Sequence, residues 1–171
     1  SSPFYKNEIS AVASGRITAE RAFDVLLYAV QMVIKIYPNF KLYIIGHDKG
    51  ELENLKKLLI KLNIQNHVTF LGFKKNPYIY YYYCDIFILS SRHEGFPNTL
   101  LENYQLNTPT VATDCVKIIR KFIKDGENGY NCKVNDPNDL YDKIVKCLKY
   151  IRRKNINNPD FKAPHFKELL S

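Results

Sequence analysis

Two glutamates, Glu94 and Glu102, stand eight positions apart in the run Ser90-Ser91-Arg92-His93-Glu94-Gly95-Phe96-Pro97-Asn98-Thr99-Leu100-Leu101-Glu102. The run follows the apolar stretch Ile86-Phe87-Ile88-Leu89 and leads into a helix predicted from Asn98 to Leu106. Gly95 and Pro97 shape a tight entry, and the first helical N–H groups, near Asn98, Thr99 and Leu100, have no intrahelical acceptor. Such donors, together with the positive end of the helix dipole, suit a phosphate. An ionised carboxylate only accepts hydrogen bonds, so one beside a phosphate needs hydroxyls to hold. A ribose diol or a sugar supplies them. Taken singly, Glu102 reads as a solvated helix residue and Glu94 as a loop charge complementing the dipole. Paired around a Gly-Phe-Pro entry, they read as a site. His47 and His93 edge the same region but read first as structural residues. No His, Asp and Glu cluster has metal-ligand spacing, so no metal is expected.

The elements that would position this segment alternate along the chain. Ile9–Ser14 predicts a buried strand closed by Gly15, and the apolar periodicity from Ala19 to Ile34 predicts a helix that Pro38 stops. Residues 41–46 and 67–72 predict two more strands, each ending in glycine (Gly46, Gly72), with a leucine-spaced helix over 52–62 between them. The tyrosines 78–83 suit a short helix, and residues 86–89 read as a strand buried on both faces. A strand over 110–113, a helix over 118–124, a strand over 130–134 and a helix from Pro137 through Ile151 complete the order, with Asp136 as N-cap. About six strand–helix alternations predict a doubly wound, Rossmann-like α/β domain, a parallel sheet with helices on both faces. Residues 1–171 would form this single domain, with 155–171 a polar tail. In such sheets ligands bind beyond the carboxyl ends of the strands, where Gly15, Gly46 and Gly72 would lie.

Composition removes other classes. The 171 residues are 46% hydrophobic and 25% charged, which excludes a disordered or fibrous chain. No apolar run approaches the ~20 residues of a membrane span. The net charge is +8, shared as 11 Lys/Arg against 7 Asp/Glu in residues 1–85 and 14 against 10 in residues 86–171. No basic arm stands apart, so nucleic acid is not the expected partner; attraction to an anionic membrane surface stays open. Cys84, Cys115, Cys132 and Cys147 are widely separated, as for thiols in a reducing compartment, and a cytoplasmic location is expected.

The segment Glu94–Glu102, followed by Thr108-Pro109-Thr110-Val111-Ala112-Thr113-Asp114, resembles the signature of the family-four retaining glycosyltransferases of GT-B fold. Ser14-Gly15-Arg16, Ile45-Gly46, residues 68–72, Cys84-Asp85-Ile86-Phe87 and Asp125-Gly126-Glu127-Asn128-Gly129 match the same family in order, over roughly residues 9 to 150. The resemblance implies that Arg16 and Arg21 contact a donor diphosphate, with Arg21 standing where the family has lysine. It implies that Glu94, beside the backbone of Gly95 and Phe96, meets the donor sugar. The turn at Pro97 and the amides of Asn98, Thr99 and Leu100 would receive the diphosphate, Glu102 the ribose, and Gly72 and Phe73 would lie near the base. The chain departs from the family where glycine is usual, at Ala22, at Asn107 and near Ile119. In the loop Cys115–Lys121, Lys121 replaces an acid.

The implied function is transfer of a sugar from a nucleoside-diphosphate sugar to an acceptor with retention of anomeric configuration, in polysaccharide or glycoconjugate biosynthesis. Neither a metal nor another cofactor is implied. This chain would supply the donor-binding half, and a missing N-terminal domain the acceptor site, so the domain alone is expected to be inactive. A non-catalytic nucleotide- or sugar-binding module is the alternative. A glycoside hydrolase using Glu94 and Glu102 as its carboxyl pair would leave the phosphate-type site and the two arginines without a role.

Overall fold

A computed structural model describes residues 1–157, with side chains through Ile151. Six strands, β1 (Ile9–Ser14), β2 (Phe40–Ile45), β3 (Val68–Gly72), β4 (Ile86–Leu89), β5 (Thr110–Thr113) and β6 (Gly129–Cys132), form one sheet. Their order is β3-β2-β1-β4-β5-β6 and every pairing is parallel. The helices are α1 (Phe23–Ile36), α2 (Leu52–Leu62), α3 (Tyr78–Tyr83), α4 (Asn98–Gln105), α5 (Ile119–Phe122) and α6 (Pro137–Asn157). This is the doubly wound Rossmann-like fold expected from the alternation.

The strand pleat sorts side chains to the two faces. Ala11, Ala13, Leu42, Ile44, Ile86, Ile88 and Val111 pack with α1, α2 and α6, whereas Val12, Ile45, Phe87, Leu89 and Ala112 pack with α3, α4 and α5. β4 contributes Ile86 and Ile88 to one layer and Phe87 and Leu89 to the other, so its continuous hydrophobicity is a consequence of burial on both sides. On α1, Phe23, Leu26, Leu27, Val30 and Val33 are buried at three- and four-residue steps. α6 starts as its sequence demands, with Asp136 Oδ1 accepting the Asp139 amide at 2.9 Å and Pro137 at the first helical position.

Several boundaries move for local reasons. α1 begins at Phe23 rather than Ala19, because Ala22 sits in the left-handed region at φ 53° and separates it from a 3-10 turn over Ala19–Arg21. β2 begins at Phe40. α5 is one turn long, since Ile123 is extended, and β6 is shifted to Gly129–Cys132. α6 continues to Asn157, so positions 155–157 of the expected tail are helical, and the rest of that tail lies outside the described residues. Ala22 and Asn107, where the family usually has glycine, both have positive φ, 53° and 55°. Asn tolerates that region through local hydrogen bonding, whereas alanine pays a steric cost there.

Candidate donor-binding site

Chain order reverses between β1 and β4, so the connections leaving them turn to opposite faces: α1 follows β1 on one side and α4 follows β4 on the other. A crevice opens there at the carboxyl ends of the strands, as the topology requires. Its volume is about 240 Å³, and its walls include Gly15, Arg16, Gly46, His47, Phe73, Lys74 and Thr99. The strand ends approach closely: a Cβ on Gly46 would lie 1.9 Å from the Gly15 carbonyl oxygen, and Gly46 has φ 151°. Only glycine fits there.

At the α4 end, Asn98 donates its amide to the Phe96 carbonyl at 3.0 Å. That corrects the expectation of three vacant amides: Thr99 and Leu100 remain without an acceptor among the described residues. Pro97 is buried, while Gly95 and Phe96 are exposed. Arg16, on the opposite wall, is exposed and makes no ion pair among the described residues, which leaves its guanidinium available to an anion.

Arg21 and Glu94 are brought together rather than apart. Arg21 Nη1 donates to Glu94 Oε1, and Ser91 Oγ donates to the same carboxylate oxygen at 2.9 Å. The pair is mostly buried, with 21% of the Arg21 side chain and 9% of the Glu94 side chain exposed, so removing either partner would strand a charge.

Glu102 is half-buried, and its carboxylate accepts no hydrogen bond from any described residue. Burial pushes its pKa above the ordinary glutamate value. Close by in electrostatic terms is Tyr81, which lines the crevice, shares a 2.7 Å hydrogen bond with Ser14 and has its phenol pKa raised by burial. At the far end the rings of His47 and Phe73 stack with centroids 4.6 Å apart and planes 6° from parallel. Phe73 is 61% exposed, an aromatic face set at the rim beside Gly72.

The geometry therefore gathers Gly15, Arg16, Gly46, Phe73 and Thr99 on one crevice, and joins Arg21 to Glu94. It adds Lys74, Ser14 and Tyr81, which were not assigned to the site from sequence, and sets His47, read there first as a structural residue, in the crevice wall. Lys74 lies two residues past a glycine-closed strand, and that position was the available signal. Tyr81 was hidden within a run of tyrosines. A larger groove of about 570 Å³, lined by Tyr104, Gln105, Asn107, Pro109, Glu127 and Asn128 among others, lies at the opposite, amino ends of β5 and β6. It contains none of the cations or vacant amides described above.

A doubly wound sheet with cations, free helix amides and an aromatic rim at its switch point defines an α/β protein whose crevice suits an anionic ligand. Residues 1–158 match the family of glycosyl transferases group 1, and the chain belongs to that family. It is 40% identical over 112 residues to an uncharacterised glycosyltransferase of Methanocaldococcus jannaschii, covering 65% of this chain and 27% of that protein. It is 32% identical over 146 residues to another from Haemophilus influenzae, covering 85% of this chain and 39% of that one. Its fold matches HepE of Anabaena, solved in complex with UDP, with a TM-score of 0.77 at 19% identity over 96% of this chain and 48% of that one. The chain thus spans less than half the length of the relatives it matches.

Proposed function

We propose that this chain is the donor-binding half of a two-domain retaining glycosyltransferase, with the acceptor held by an N-terminal domain. The observation that carries the reading is that Thr99, whose α4 amide has no acceptor, lines one crevice with Arg16 at the sheet's switch point. A diphosphate between them would meet backbone N–H groups, the α4 dipole and a guanidinium. Glu102 fits a ribose because its desolvated carboxylate lacks hydrogen-bond donors and a vicinal diol brings two. His47 and Phe73 offer a flat face to a base.

In transfer, negative charge grows on the leaving diphosphate as the sugar–oxygen bond breaks. Arg16, Arg21 and the amide of Thr99 stabilise that charge from fixed positions, the kind of preorganised field that lowers such barriers. Donor arrival gives Arg21 a second anionic partner, and Glu94 then turns to the sugar hydroxyls. Neither step calls on a metal.

UDP is the first nucleotide to test, since HepE was solved with it. Titrating the intact protein with UDP, GDP and ADP, then supplying the matching sugar nucleotides with candidate acceptors, tests the reading. The expected result is diphosphate binding, sugar transfer and, by NMR of the product, a retained anomeric configuration. Binding without turnover in the intact protein would assign it to the non-catalytic class, and absence of nucleotide binding would overturn the site itself.

A further inference from the structure

The 3-10 turn Ala19–Arg21 carries Arg21 into the site yet has no side-chain cap of its own, and it ends on the strained left-handed Ala22. Its three successive carbonyls are instead held by the segment that leads to Glu94. Arg92 Nη1 donates to the Ala19 carbonyl, the Arg92 amide donates to the Glu20 carbonyl at 2.7 Å, and Ser90 Oγ donates to the Arg21 carbonyl at 2.8 Å. The remaining edges of the Arg92 guanidinium fix it from two further elements. Nη2 donates to both carboxylate oxygens of Asp24 at the start of α1, at 3.2 and 3.0 Å, and Nε donates to Asn135 Oδ1 beyond β6 at 2.5 Å.

We propose that Arg92 is a positioning residue for donor binding: its forked guanidinium locks the Arg21 turn against the Glu94 loop, so that the backbones of the two segments keep a fixed relative position. The proposal rests on the donor-binding reading of Arg21. Arg92 does not act by its charge on the ligand: its guanidinium makes four hydrogen bonds, to Ala19, Asp24 and Asn135, and its charge is paired with Asp24. A lysine keeps the charge but has no planar fork to reach a carbonyl, a carboxylate and an amide together.

Two measurements on the intact protein test it, with Arg92→Lys as the main variant. In hydrogen exchange without ligand, the amides of Arg21 and Ala22 should exchange faster in the variant while those of β1 and β4 are unchanged. In UDP titration, Arg92→Lys should weaken binding roughly tenfold, and adding it to Arg21→Ala should cause no further loss. Unchanged exchange at the turn, or an equal loss in the Arg21→Ala background, overturns the proposal. Wild-type protein that binds none of UDP, GDP and ADP defeats the donor reading instead, and the exchange experiment still decides whether the clamp exists. Should Arg92→Lys fail to fold, Asp24→Ala, which releases one edge of the fork, is measured in the same two ways.

Discussion

Arg16 and Glu102 make opposite demands on a bound nucleotide, and that difference can be read out. If Arg16 and Arg21 grip the diphosphate, alanine at either position should cost roughly ten- to a hundredfold in diphosphate affinity, the worth of a charge-assisted contact. Affinity for the bare nucleoside should hardly change. Glu102→Ala should weaken diphosphate and nucleoside alike, because the ribose is common to both; calorimetry resolves the two patterns. Glu94→Gln should lower transfer far more than nucleotide diphosphate binding, as steady-state kinetics and titration together will show. Glu102 also has a cost in the empty protein. Its folded pKa is raised by burial, so the native state holds the proton more tightly than the unfolded chain does. Stability is therefore unaffected below the ordinary carboxylate range and falls as pH rises from there through the folded pKa. Glu102→Gln should flatten that dependence and, since half the side chain is still hydrated, stabilise at pH 7 by about 0.5–1 kcal/mol in denaturant titrations.

At the scale of elements, the junctions bear the strain and the strands bear the stability. Ala22 joins the 3-10 turn to α1 with φ 53° and is fully buried. Ala22→Gly relieves the steric cost of a left-handed alanine and should stabilise by ~1 kcal/mol, the entropy of an added glycine reducing the gain. Thermal unfolding of the two proteins gives the sign. Gly46→Ala should do the reverse and on a larger scale. Its Cβ would meet the Gly15 backbone rather than a side chain that could swing aside, so β1 and β2 would have to part. A loss above about 3 kcal/mol is expected, with weaker nucleotide binding, since the same strand ends wall the crevice.

For the whole molecule, the strand order decides where chemistry can happen. With order β3-β2-β1-β4-β5-β6, the crevice must open between the connections after β1 and β4, and the motif segments leave the sheet there. Arg16 follows β1, His47 follows β2, Phe73 and Lys74 follow β3, and Thr99 stands on α4. Residues spread over about half the chain therefore face one ligand-sized space. Among the described residues no helix is long and apolar enough to cross a membrane. No disulfide joins the four cysteines, three of which are buried. Cys132 and Cys147 have thiol pKa values raised by burial, which keeps them protonated and unreactive at neutral pH.

The sequence by itself determined the class of fold, the family and a part of the crevice wall: Gly15, Arg16, Gly46, Phe73 and Thr99. Those depend on local properties: apolar period, glycine at strand ends, a Gly-Phe-Pro helix entry and an Asp-Pro cap. It did not determine that Arg21 and Glu94 share an ion pair, or that His47 stacks on Phe73. Nor did it assign a task to Arg92, whose partners Ala19 and Asp24 follow β1 and Asn135 follows β6. Such contacts join positions up to 73 residues apart, and no local pattern encodes them. They exist only once the parallel sheet has set the loops after its strands side by side, because hydrogen bonding and ring stacking act over a few ångströms in space and are indifferent to separation along the chain.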